Sequence, residues 1–129
     1  MSLTVPADQL EQASHGEVDE EQFVACVRTS LPYAWSVISG LAGRLAAGSR
    51  GFADSTVPPP DEAARGQLLR ALASDAMRGA LERHFGVRLA FQNCHRVAVF
   101  APTAPDSAYA EFISPRAQLL NQSPRLVDC

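Results

Sequence analysis

Lysine is missing from this chain: all eleven basic residues are arginine, set against fourteen acids for a formal charge of −3. With abundant alanine, glycine and proline, arginine-only usage reads as the codon bias of a GC-rich genome. Cysteine is scarce. Cys26, Cys94 and Cys129 are odd in number and irregular in spacing, which argues against the disulfide framework of a small secreted domain. Cys129 stands last rather than fourth from the end, so it is not a prenylation box. CxxC, HxxxH and HExxH are absent, and local sequence supplies no four-ligand zinc set. No metal or cofactor is expected, because phosphate loops, dinucleotide fingerprints, calcium loops and GxSxG elbows are missing too. No apolar run approaches about 18 residues, and no charged segment leads into a short apolar one. The expectation is cytoplasmic residence with no membrane partner.

What is present suits a globule. At 129 residues, 47% apolar and a mean hydropathy of −0.05, residues 1–129 read as one domain. A chain of this size buries roughly two-thirds of its unfolded surface without staples. Pro6 opens a short helix over about 6–15. Asp19 can cap a second over 19–30, with Gln22 at the capping-box position and Val18 placed to staple onto Phe23. Pro32 breaks that helix and begins a third over 32–47, and residues 48–60 read as a proline-rich connector. Asp61 caps a long helix predicted over 61–85, where apolar residues from Ala64 to Phe85 recur at helical spacing. Arg78 and Glu82 stand four apart on its outer side, and Gly86 is its stop.

Residues 87–100 form a β-hairpin, and short helices over 107–122 close the chain. Parity sets the hairpin register. A loop of Asn93, Cys94 and His95 puts Phe91 opposite Val97 and Leu89 opposite Val99, which buries one face, as does a longer loop in the same register; a two-residue loop would split the apolar set. The left-handed residue such a loop commonly needs falls on His95. The fold class is α+β and predominantly α: a compact helical domain with a single β-hairpin after the long central helix.

The hairpin tip gathers the reactive side chains. Gln92, Asn93, Cys94, His95 and Arg96, together with Arg88, form the candidate binding surface. Cys94 and His95 are the weak candidates for catalysis, as a thiol and base, or for metal ligation, but no third orienting group is legible and none is assigned. The alternative is structural: Asn93 and His95 satisfy the turn while Cys94 packs as a small apolar residue. Charge is uneven, −5 over residues 1–30 and +4 over 65–96, which suits internal salt bridges or a polyanion site. A winged relative of the helix-turn-helix, with Arg88 and Arg96 on phosphate, is a further alternative that the acidic total disfavours.

The segments EVDEEQFVACVRTSLPYAW, ARGQLLRALASDAMRGALERHFGVRLAFQNCHRVAVF and QLLNQSPRL resemble a small actinobacterial family of uncharacterised proteins, over nearly the whole chain. The resemblance implies a high-GC bacterial cytoplasmic protein and carries over no activity or functional residue. The leading expectation is a non-catalytic regulatory or protein-interaction module, its contact surface at the hairpin, with a protein partner or a second copy of itself. The other readings are a nucleic-acid-binding protein and a small enzyme or metal protein using Cys94 and His95.

Overall fold

Short polar side chains set the helix starts in a computed structural model that describes residues 3–48 and 50–122. The chain opens with α1 (Ala7–Ser14) and α2 (Glu20–Ser30). Asp19 accepts from the backbone N–H of Glu21 at 2.9 Å and of Gln22 at 3.4 Å, and Glu20 and Glu21 lie in the first turn, where the helix dipole favours acids. Val18 stays 70% exposed while Phe23 packs onto the main core. Leu31 ends α2, and Pro32 takes the first position of α3 (Pro32–Ala47), where a missing N–H costs nothing.

The connector expected after α3 contains a strand, β1 (Phe52–Ser55). Gly51, at φ +77, turns the chain into it, and its carbonyl accepts from Ala101 N–H at 2.8 Å.

The long helix expected over 61–85 is two helices, α4 (Glu62–Ala73) and α5 (Asp75–Phe85). Ser74 takes extended backbone angles between them, and its hydroxyl accepts from Met77 N–H at 3.2 Å. A serine followed by an acid competes with helix continuation by capping a new start. Arg78 fixes the joint by donating to the Leu72 carbonyl at 3.1 Å and to Asp75 at 2.6 Å, rather than pairing with Glu82. Glu82 instead accepts from Leu89 N–H at 2.9 Å. Because the axis changes at Ser74, the apolar stripe does not run through: Leu69, Ala73 and Ala76 face solvent. Gly86, at φ +65, ends α5 as expected.

β2 (Arg88–Gln92) and β3 (Arg96–Phe100) pair in the register that parity predicted, with Phe91 opposite Val97 and Leu89 opposite Val99. The hairpin does not stand alone. β1 pairs antiparallel with β3, giving the order β1-β3-β2 with β3 central. The class is α+β and mainly α, with a three-stranded sheet in place of the single hairpin. Two helices close the described chain, α6 (Asp106–Phe112) and α7 (Pro115–Leu120), the second capped by Ser114.

Alternation divides the sheet into two faces. Ala53, Leu89, Val97 and Val99 face the helices and join Val27, Leu31, Ile38, Leu68 and Leu81 in the main core. Burying each of the larger aliphatic side chains contributes about 1.5–3 kcal/mol. Phe52, Ala90, Ala98 and Phe100 point the other way, against Ala108, Tyr109 and Phe112 of α6. Among the described residues no helix is long and apolar enough to cross a membrane.

Candidate functional site

The second sheet face also carries the polar residues of the hairpin. By register, Arg88 lies beside Phe100, Gln92 beside Arg96, and Asp54 beside Ala98, all with the parity of Ala90 and Phe100. Arg96 donates through Nε at 2.9 Å and Nη2 at 2.5 Å to Asp54 Oδ2, a pairing that joins β3 to β1, and its guanidinium stands 5.1 Å from the centroid of Phe112. Arg88 lies 3.6 Å from the centroid of Tyr109 and 3.3 Å from Asp106. Two arginines that sequence reasoning put on an open surface thus hold α6 to the sheet through its aromatic residues, the geometry of cation–π attraction.

The tip itself is tied to the C-terminal helices. Gln92 is 3% exposed; its amide donates to the Phe112 carbonyl, and its Oε1 accepts from Asn121 Nδ2 at 2.7 Å. Asn93 donates to the Asn121 carbonyl and accepts from Gln118 Nε2 at 2.6 Å. His95 is 1% exposed, with Nδ1 2.8 Å from the Asn93 carbonyl. The left-handed residues of the turn are Asn93, at φ 53, and Cys94, at φ 60, in place of the expected His95; His95 N–H closes the turn on the Gln92 carbonyl at 3.2 Å. Two successive positive φ angles outside glycine are uncommon, and asparagine tolerates the region better than most residues.

Cys94 is disulfide-bonded, a pairing that the irregular spacing of the cysteines does not announce. A bonded sulfur is not available as a thiolate nucleophile or ligand. Cys26 is a free buried thiol 3.0 Å from Gln9 Oε1, and Cys129 lies outside the described residues. Among the described residues no three of His, Cys, Asp and Glu stand close enough to hold a metal. Of the proposed surface, Gln92 and His95 are interior, Asn93, Cys94 and Arg96 are half-buried, and Arg88 is exposed.

Two concavities among the described residues bear on function. The first, about 500 Å³, lies between the second sheet face and α6–α7, with Phe52, Phe100 and Phe112 among its lining and Gln92, Arg96, Glu111, Arg116 and Asn121 as its polar groups. Sequence reasoning missed Asp54, Phe52 and Phe112 here. The available signals were the spacing of Tyr109 and Phe112, which puts both on one helix face, and the short run Phe52–Ser55 after a glycine. The second, about 620 Å³, runs between α1 and the α2–α5 pair. Leu10, 57% exposed, and Val18 border it with Ala13 and Phe23, and Glu17, Asp19, Glu20 and Arg83 supply its charge. Glu20 accepts from Arg83 Nε at 2.6 Å, so an acid of the N-terminal segment is bridged to the basic middle. That hydrogen bond holds the Glu20 carboxyl below the usual glutamate range and pushes Arg83 up.

A family model described as NucS shadow ORF matches residues 1–129, and the chain belongs to that family. Comparison with curated proteins and with solved structures returned no match. The family's description assigns no activity.

Proposed function

We propose that this member of the NucS shadow ORF family is a non-catalytic interaction module whose docking site is the groove between α1 and the α2–α5 pair. The observation that carries the reading is the exposure of Leu10 and Val18 beside a concave, acid-lined surface. The hairpin face, where the contact surface was first expected, is occupied by α6 and α7. Large apolar side chains left in water around a groove are a recurrent mark of a helix-binding site. Charge selects the partner: Glu17, Asp19 and Glu20 outnumber Arg83 in the lining. The occupant is a basic amphipathic helix, apolar on one face and rich in Lys or Arg on the other.

A synthetic Leu/Lys amphipathic peptide, followed by fluorescence anisotropy, tests this. It should bind saturably, more weakly at high salt. Leu10→Ser should weaken it roughly tenfold, as the loss of one buried apolar anchor implies. Equal binding of a scrambled peptide would reduce the effect to general attraction and sink the proposal. Concentration-dependent sedimentation of the protein alone, with no peptide binding, would replace the basic helix by a second copy.

The reading also requires that the polypeptide be made, since the family's description names an open reading frame by reference to NucS. Tryptic peptides ending at its arginines in whole-cell mass spectra are the direct check, and their absence from cells that transcribe the frame counts against any function.

An actinobacterial cytoplasm belongs to the same proposal, supported by eleven arginines and no lysine. The disulfide at Cys94 is the observation against it, because the cytosol keeps thiols reduced. No specific observation favours the other readings. Arg88 and Arg96 are engaged with Asp106 and Asp54, and Cys94 is bonded.

A further inference from the structure

The cavity under α6 and α7 has a different chemistry from the groove, and we infer that it binds a flat aromatic molecule carrying one carboxylate or sulfonate. Its volume, about 500 Å³, falls within the range of small-molecule sites. Phe100 anchors an aromatic cluster: Phe52 stacks on it at 6.0 Å and Phe112 meets it edge-on at 5.8 Å. Ring faces and edges of this kind favour another ring over an aliphatic chain, because aromatic pairs gain from offset and edge contacts.

Each arginine of the lining has an acidic partner, Asp54 for Arg96 and Glu111 for Arg116. Asp54 engages Nε and Nη2 of Arg96, and among the described residues Nη1 has no hydrogen-bond acceptor. Arg116 pairs with Glu111 at 2.7 Å, with both side chains more than half exposed. Such surface pairs contribute little, from nothing to about 1 kcal/mol. A ligand acid can therefore replace Glu111 on Arg116 at small cost and gain a bidentate partner in exchange. The amides of Gln92 and Asn121 are bonded to each other, and that of Gln92 also to the Phe112 carbonyl, so they offer little to a sugar or other polyol. Few free polar partners, an aromatic cluster, the unengaged Nη1 of Arg96 and the weakly held Arg116 select an aromatic monoanion.

Anilinonaphthalenesulfonate is the probe, titrated into the full-length folded protein while its emission is followed. The expected result is saturable one-site binding with a blue shift. The neutral anilinonaphthalene, and Arg116→Glu with the anionic probe, should each bind roughly tenfold more weakly, the size of one charge-assisted contact. Ala117→Trp, which fills the cavity from α7, should abolish saturation, with circular dichroism confirming the fold. Leu10→Ser, in the groove, should leave the titration unchanged, which separates this site from the docking site. Absence of saturable binding overturns the inference. So does binding that survives Ala117→Trp in the folded protein or that is lost with Leu10→Ser. Should Ala117→Trp fail to fold, Arg116→Glu decides alone: affinity equal to that of the unaltered protein overturns the assignment.

Discussion

Cys94 holds a left-handed backbone, φ 60, directly after Asn93 at φ 53. Asparagine adopts this region more readily than most residues, whereas a cysteine there costs roughly 1–2 kcal/mol relative to its ordinary conformations. The disulfide at Cys94 and the bonds from Asn93 to Asn121 and Gln118 hold the turn in that shape. Cys94→Gly and Cys94→Ala both remove the sulfur, so comparing them isolates the backbone. The glycine variant should be the more stable by about 1 kcal/mol in urea unfolding; equal midpoints would mean that the turn relaxes once the sulfur is gone. The sequence places these residues in the turn, because a loop of Asn93 to His95 puts Phe91 opposite Val97 whereas a two-residue loop does not. Which of them turns left-handed is not legible, since the choice follows from contacts with Gln118 and Asn121, over twenty residues away.

Helix ends show the same division. Asp19, Asp61 and Ser114 cap from neighbouring sequence and are readable as such. The start of α3 has no side-chain cap of its own. Its N–H groups at Tyr33 and Ala34 donate instead to Gln67 Oε1 of α4, at 2.7 and 3.2 Å. This cap is supplied by another helix, 34 residues along the chain, and no local pattern announces it. Gln67→Met keeps the bulk and removes the acceptor, leaving two donors at a partly buried helix end. It should cost about 1–3 kcal/mol of stability, read from the urea midpoint; a change within a few tenths of a kcal/mol would show that water replaces the amide. The break at Ser74 was legible in principle, through the Ser-Asp pair, but the helical spacing of apolar residues on either side concealed it. Periodicity registers helix on both sides of a joint and is nearly blind to a change of axis.

Across the whole molecule, charge couples distant segments. The Arg83 hydrogen bond lowers the Glu20 pKa, so as pH falls the unfolded chain takes up its proton first. The contribution is present above the ordinary glutamate value, about 4.3, and is lost as pH drops through the lower folded value. Glu20→Gln should therefore flatten the acid limb of the stability profile, modestly, since both partners are exposed. Tyr33 behaves in the opposite sense: burial first, then the charge of Asp61, raises its pKa. Its contribution is present below about 10 and lost as pH climbs through the folded value. Tyr33→Phe should flatten the alkaline limb, and an unchanged limb would mean that Tyr33 ionises alike in both states. Alone, the sequence determined the mainly helical class, the starts of α2 and α4, and the hairpin register, because capping and strand parity act between residues a few positions apart. Tertiary structure decided the rest. β1 joins the sheet through β3 and Asp54 reaches Arg96 across 42 positions; α6 and α7 cover the face that parity left open. Those choices depend on which surfaces meet once the helices have packed, and no local period carries that information.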